Sequence, residues 1–287
     1  MSTPSLQTPF DAAIVMTTVV RTTIVQALRS VYAQDFDGRI QLMVGIDRWV
    51  GEKALLDAVI AEAPSHVAVT VLDLGYSTSV AHGGLYPSRY GGAMKTILAY
   101  AANSRYIGFL DDDNWYVPGH VAALRRAIDG KDWAFTLRYF VDAASGELLC
   151  PDTFESVGPG AGIYAASEGG FVDANCYLID KLACHDAFIE WAMTRYEGGT
   201  GGDRQVHGKL RRRPYGATGV HSVYYRLAMA TVGYYRLWKL RQNGVDLARY
   251  LPQHAIPGEA TWRKCEEMER AKAVPGMDVP VLPPRVA

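Results

Sequence analysis

The strongest constraint on this chain is a regular alternation, from Ala12 to Leu110, of short apolar runs with apolar residues at helical spacing. Ala12 to Met16 is an apolar run with β-branched residues. Behind Thr22 and Thr23, which suit a helix cap, Ile24, Leu28, Val31 and Tyr32 recur at helical intervals. Ile40 to Ile46 repeats the strand signal and ends at Asp47, after which Leu55, Leu56, Val59 and Ile60 mark a helix closed by Pro64. Val67 to Leu72 reads as a third strand. A Gly- and Ser-rich loop, Gly75 to Gly92, then leads to a helix marked by Met94, Leu98 and Ala101 and to the run Tyr106 to Leu110. Strands alternating with helices in this way predict an α/β unit with a mostly parallel central sheet and helices on both faces. Such sheets bind ligands beyond the carboxyl ends of their strands, where Asp47 and Asp111 both stand.

The second half is mixed. Val121, Leu124 and Ile128 mark a helix, and Trp133 to Val141 with Leu148 to Cys150 reads as a hairpin around Ala144-Ser145-Gly146. Two Gly-rich loops, Gly158 to Gly170 and Gly198 to Gly202, flank a strand at Cys176 to Ile179 and a helix at Leu182 to Met193. They are candidate lids, because closure needs residues that absorb large dihedral changes. From Pro275 onward a Pro-rich tail is expected to be extended or disordered.

Composition excludes several classes. With 287 residues, 49% hydrophobic and 21% charged, the chain can bury a full core and is neither disordered nor collagenous. A net charge of −1 gives no reason to expect a nucleic-acid partner. The charge is uneven, however: between Arg204 and Val245 there is no acidic residue, while Arg204, Lys209, Arg211, Arg212, Arg213, Arg226, Arg236, Lys239 and Arg241 contribute +9. That block suits a diphosphate, an anionic acceptor or a membrane surface. Cys150, Cys176, Cys184 and Cys265 show no pairing pattern, so free thiols in a reducing cytosol are expected. No basic-then-apolar leader opens the chain, and its longest uncharged apolar stretches are about half the ~20 residues of a spanning helix. The expectation is a soluble, cytoplasmic protein without a transmembrane segment. Val223 to Leu240, with Tyr224, Tyr225, Tyr234, Tyr235 and Trp238 among basic residues, suits peripheral contact with the inner membrane face, and a homo-oligomer stays open.

Phe109-Leu110-Asp111-Asp112-Asp113-Asn114 places three carboxylates directly after an apolar strand. Such a density of negative charge repels itself unless a cation or several donors neutralise it. A hard divalent ion, Mg²⁺ or Mn²⁺, suits this cluster, because it is commonly held by one or two carboxylates plus substrate phosphate oxygens. Alternate residues such as Asp111 and Asp113 can reach one ligand from a turning backbone; a helix cap with two solvated carboxylates is the plainer alternative. No P-loop, G-x-G-x-x-G or nucleophile elbow appears.

These residues, taken with Ala27-Leu28-Arg29-Ser30-Val31-Tyr32-Ala33-Gln34 and Ile46-Asp47, give the chain a resemblance to the family 2 glycosyltransferases of GT-A fold. That family has an N-terminal strand, a helix of the form L-x-S-v-x-x-Q, a strand ending in Asp and a strand ending in D-x-D. Order and spacing match through roughly residues 11 to 120. The resemblance implies a nucleotide-sugar-binding half over residues 1–120, an acceptor-side half over 121–222 and a C-terminal helical extension with the Pro-rich tail over 223–287. It implies a metal-dependent, inverting transfer of a sugar from a UDP-, GDP- or dTDP-sugar to an acceptor hydroxyl, in polysaccharide, glycolipid or glycoconjugate synthesis.

Residue by residue, Asp47 resembles the aspartate that contacts the donor nucleoside, with Thr18 in the same pocket. Asp111, Asp112 and Asp113 form the donor-binding cluster, Asp111 and Asp113 being similar to the metal ligands. Lys95 falls near a basic position facing the donor. His221 resembles a C-terminal His that completes the metal shell in some relatives. Gly201-Gly202-Asp203-Arg204-Gln205 is similar to the family's Glu-Asp motif, with Asp203 as general base and Gly202 where Glu is usual. An Asp at that place is also good helix-start chemistry. Where relatives read Pro-Thr-Tyr-Asn, this chain reads Thr17-Thr18-Val19-Val20, so the base pocket differs. Asp173, Asn175, Trp191 and Tyr164 are candidates for the acceptor side, through hydrogen bonds or ring stacking. Two rival readings are a sugar nucleotidyltransferase, which lacks its usual Gly-rich loop here, and a non-catalytic nucleotide- or carbohydrate-binding protein on the same scaffold.

Overall fold

The computed structural model describes residues 8–228, 233–242, 244–249, 251, 253 and 256–272; the tail from Pro275 lies outside them. The first half runs β1 (Ala12–Thr18), α1 (Ile24–Tyr32), β2 (Ile40–Ile46), α2 (Lys53–Ile60), β3 (Val67–Asp73), α3 (Gly92–Ala101) and β4 (Tyr106–Phe109). The second adds β5 (Trp115–Tyr116), α4 (His120–Ala127), β6 (Trp133–Asp142), β7 (Leu148–Pro151), β8 (Gly158–Pro159), α5 (Ala165–Glu168), β9 (Gly170–Phe171), β10 (Tyr177–Asp180) and α6 (Ile189–Ala192). It continues through α7 (Gly202–Leu210), β11 (Tyr215–Leu227), α8 (Tyr234–Gln242) and α9 (Glu259–Lys272). One nine-stranded sheet joins both halves in the order β3-β2-β1-β4-β10-β6-β11-β5, with β7 on the flank of β6. β8 and β9 pair separately.

The order follows from the residues. Every position of β1 and β2 is buried, so these strands read as near-continuous apolar runs, with Gln41 and the closing Thr17-Thr18 as the polar positions: helices cover both faces of a parallel pair. β10 reverses direction between β4 and β6 and welds the halves together. In α1, Ser30 and Gln34 do more than fill a helix. Ser30 Oγ accepts the Tyr116 amide at 3.1 Å, and Gln34 bonds both the Val117 carbonyl and the Val121 amide at 2.9 Å. The helix thereby clamps the chain just after the acidic turn. A second apolar cluster gathers Phe140, Phe154, Leu227, Leu237, Trp238 and Trp262, seating α8 and α9 on the flank of β6 and β11.

Two expectations are corrected. The helix foreseen from Leu182 to Met193 exists only as α6 and a single 3₁₀ turn at His185–Ala187. Asp180 Oδ1 accepts the amides of Leu182 and Ala183, and Arg213 holds the Ala183 carbonyl, so the chain turns there. The Val223 to Leu240 segment is not one interfacial stretch: Tyr224 and Tyr225 lie in β11, and Trp238 is buried in the second core. No helix among the described residues is long and apolar enough to cross a membrane. All four cysteines are free and buried.

Two buried histidines tie stability to pH. His120 stacks on Tyr116 at 3.6 Å with Nδ1 2.9 Å from Ser222 Oγ, and burial pushes its pKa down to about 3. Burial, then Arg211, lowers His207 to about 4. Because an unfolded His protonates near 6.5, the unfolded chain binds more protons below that pH, and stability falls as pH drops from about 6.5 toward 4. Between pH 7.5 and 5, His120 contributes a loss of about 2 kcal/mol at most. Urea midpoints at the two pH values should differ more in the wild type than in His120→Gln; equal differences would contradict this.

Candidate active site

The carboxyl ends of β1, β2 and β4 meet α3 and the start of α7 around one cleft of about 670 Å³. Thr18, Asp47, Lys95, Asp111, Asp112, Asp113 and Asp203 all line it. The β1–β2 register places the Asp47 amide on the Thr18 carbonyl at 2.9 Å. The Asp47 carboxylate is buried and accepts from Ser77 Oγ at 3.0 Å. Ser77 belongs to the Gly- and Ser-rich loop, and only its place after β3 hinted at this contact.

Each carboxylate of the acidic turn has different partners. Asp111 takes the Lys95 ammonium at 2.7 Å and the Asn175 amide at 3.0 Å. Burial works against both charges of that pair, yet their mutual attraction prevails: Lys95 is raised and Asp111 lowered from their ordinary values. Asp112 is buried, accepts from Thr18 Oγ1 at 2.6 Å and pairs with Arg21. Asp113, with 36% of its side chain exposed, has the Arg21 guanidinium at 3.4 Å. Burial and then the neighbouring Asp111 push its pKa up to about 6, against the opposing Arg21. With Asp111 beside it and a part-exposed carboxylate at the mouth of the cleft, Asp113 is a fit for a divalent cation. Asp111 and Asp113 supply the two hard oxygen ligands that Mg²⁺ or Mn²⁺ commonly takes from protein when phosphate completes the shell.

Asp203 stands in the first turn of α7. Gly201, in the left-handed conformation, occupies the capping position instead, and among the described residues the Asp203 carboxylate accepts only the adjacent Arg204 amide at 2.9 Å. Burial, then Asp173, raises its pKa to about 6, with Lys95 opposing. Gly202, where the family pattern has Glu, has a local reason: a Cβ there would press on the Trp191 ring at 3.2 Å.

Other expected residues go elsewhere. His221 does not join Asp111 and Asp113: its ring packs on Tyr139 at 4.9 Å, its Nε2 sits 3.3 Å from the Asp152 carbonyl, and it does not line the cleft. Register shifts in β11 on both sides of His221 aim it there. Among the described residues no three His, Cys, Asp or Glu side chains form a metal cage. Of the basic block only Arg226 lines the cleft; Arg204, Lys209, Arg213 and Arg236 pair with Glu168, Glu190, Asp186 and Glu155 from outside the block. Trp191 is buried beneath Lys95, whose Nζ lies 5.1 Å from its ring, and Tyr164 is taken up by Glu155 and Arg204. Asp173 and Asn175 are bonded to each other, to Arg138 and to Asp111 rather than left open.

Behind the cleft lies a network with no sequence signal. Arg138 is fully buried and binds Asp152 at 2.8 Å, Asp173 at 2.5 Å and Glu155. Arg236 of α8 adds a second cation on Glu155 at 2.8 Å.

Solved structures share this architecture. S. aureus TarS superposes with a TM-score of 0.54 and 14% identity, over 89% of this chain and 42% of the TarS chain. This chain therefore spans less than half the length of that structure. TarS 1–349 in complex with UDP-GlcNAc matches with a TM-score of 0.54 and 13% identity, over 92% of this chain and 73% of its own. The mannosyltransferase PcManGT from Pyrobaculum calidifontis, in complex with GDP-Man and Mn²⁺, matches with a TM-score of 0.51 and 14% identity, over 96% and 78%. The fold is thus that of glycosyltransferases. No family model and no curated protein sequence matches the chain.

Proposed function

We propose that this protein is a metal-dependent, inverting glycosyltransferase that moves a sugar from a nucleoside-diphosphate sugar to an acceptor hydroxyl. The observation that supports this reading best is the convergence of Asp47, the acidic turn, Lys95 and Asp203 on a single cleft beyond the strand ends. Asp47 and Thr18 hold the nucleoside, and Asp111 and Asp113 hold the metal with the diphosphate. A divalent ion bound there supplies Lewis-acid stabilisation of the departing diphosphate. Asp203 accepts the proton of the acceptor hydroxyl as that oxygen bonds to the anomeric carbon and the bond to the diphosphate oxygen breaks. A base of pKa about 6 is ionised at neutral pH yet basic enough to assist. Lys95 and Arg226 face the negative charge that develops on the leaving group. One displacement at one face inverts the anomeric centre. UDP-GlcNAc and GDP-Man, bound by the structural neighbours, are the first donors to try.

The test is release of nucleoside diphosphate from UDP-, GDP- and dTDP-sugars with Mn²⁺, with and without acceptors. One donor should turn over, and Asp113→Ala should slow it by about 100-fold or more. No release from any donor, or release indifferent to Asp113→Ala, would contradict the proposal.

A further inference from the structure

The position of Arg21 in the cleft is set by the backbone before it. Val20 is fully buried and left-handed, with φ of 62°, a conformation that β-branched residues avoid. Two neighbours hold it there. The Val20 amide is bonded to Thr18 Oγ1 at 2.7 Å, and Gly51 lies where a Cβ would strike the Val20 carbonyl at 1.9 Å, so only glycine allows the approach. The same Thr18 hydroxyl donates to Asp112 at 2.6 Å. The bend therefore delivers the next side chain directly over the acidic turn. There Arg21 pairs with Asp112 and stands 3.4 Å from Asp113, while half of its side chain, 50%, stays open.

Lys95 serves Asp111, so Arg21 is the cation that the structure gives Asp112 and Asp113. A divalent ion shared by Asp111 and Asp113 would be next to that guanidinium and repelled by it. A diphosphate arriving with the ion changes the balance, because the planar guanidinium fork matches phosphate oxygens as well as it matches carboxylate.

We propose that Arg21 is a resident countercation of the acidic turn, which opposes metal binding in the nucleotide-free protein and transfers to the diphosphate when the donor binds. Beyond the direct attraction of metal and phosphate, the move of this side chain adds positive coupling, each ligand strengthening the other. The inference rests on the nucleotide-sugar reading above and adds a residue and a binding order to it.

The experiment uses the whole chain and two ligands, Mn²⁺ followed by its paramagnetic resonance signal and the nucleoside diphosphate that the wild type binds, taken from UDP, GDP and dTDP. In Arg21→Gln, Mn²⁺ alone should bind about fivefold tighter, the scale expected when one half-exposed charge leaves the neighbourhood. The diphosphate without metal should bind about tenfold weaker in that variant, whereas the parent nucleoside binds as before. Arg21→Lys, which keeps the charge, should hold Mn²⁺ near its wild-type affinity. A residue that only supported the fold would weaken every ligand in Arg21→Gln. Unchanged or weaker Mn²⁺ binding in Arg21→Gln overturns the proposal for Arg21 and leaves the donor site standing. A wild type that binds none of the three diphosphates, with or without Mn²⁺, overturns the donor-site reading itself and this inference with it.

Discussion

Asp203→Asn should leave donor binding within about twofold of wild type and lower the turnover rate by about 10²- to 10⁴-fold, the span of a positioned general base. The substitution is nearly isosteric, and the carboxylate's hydrogen bond from the Arg204 amide can be kept by the Asn side-chain oxygen. The fold therefore has little reason to respond. What disappears is the raised basicity at the start of α7, set by burial first and Asp173 second, while Asp113, raised likewise, stays in the acidic turn. The same value sets the pH dependence. An acid whose pKa is about 6 is protonated and useless as a base below that pH, so wild-type kcat/KM should fall below pH 6 and level off above it. Initial rates across pH 4.5 to 8 and isothermal titration of the variant with donor check both parts. A variant that lost donor binding with its fold intact would contradict the division of roles.

Arg138→Met should destabilise the protein by about 3–5 kcal/mol, the cost of removing one partner from a buried ionic cluster. Three carboxylates, Asp152, Glu155 and Asp173, would lose their shared cation, and only Glu155 would retain another, Arg236. For a domain whose total stability is of the order of 5–15 kcal/mol, this is a large share. The effect should also reach the cleft. Asp173 bonds Asn175 at 2.7 Å, and Asn175 both bonds the Asp111 carboxylate at 3.0 Å and receives the Asp111 amide at 2.6 Å. Releasing Asp173 loosens the strand end that presents the acidic turn. Urea denaturation gives the measurement: a loss below about 1 kcal/mol would place the cluster among ionic groups that merely offset their own desolvation.

The parts of this molecule legible in its sequence are those specified locally. β1 and β2 announce themselves as near-continuous apolar runs because helices cover both their faces, and Asp47 and Asp111 follow strand ends as the parallel arrangement requires. The parts that were not legible depend on partners distant in the chain. β11 lies between β6 and β5, yet its first six residues show no apolar alternation, since Tyr215, Ala217, Gly219 and Val220 are all exposed. The basic block reads as unpaired in the sequence because its carboxylates come from Glu155, Glu168, Asp186 and Glu190. Arg138 takes its three acids from 14, 17 and 35 residues away, on segments that no periodicity links. Arg21 had one signal, its place directly after Thr17-Thr18-Val19-Val20, where the chain departs from the pattern it otherwise follows. His221 is the reverse case, a residue placed by motif order that the irregular register of β11 turns toward Tyr139.

The central claim is that the cleft over Asp47, Asp111 and Asp113 is a nucleoside-diphosphate site that works with a divalent ion. Calorimetric titration of UDP, GDP, dTDP and CMP into the protein, each with and without Mn²⁺, tests it most directly. The account predicts that one of the nucleoside diphosphates binds tightly and that Mn²⁺ strengthens its binding. Absence of binding by all four under both conditions would contradict it.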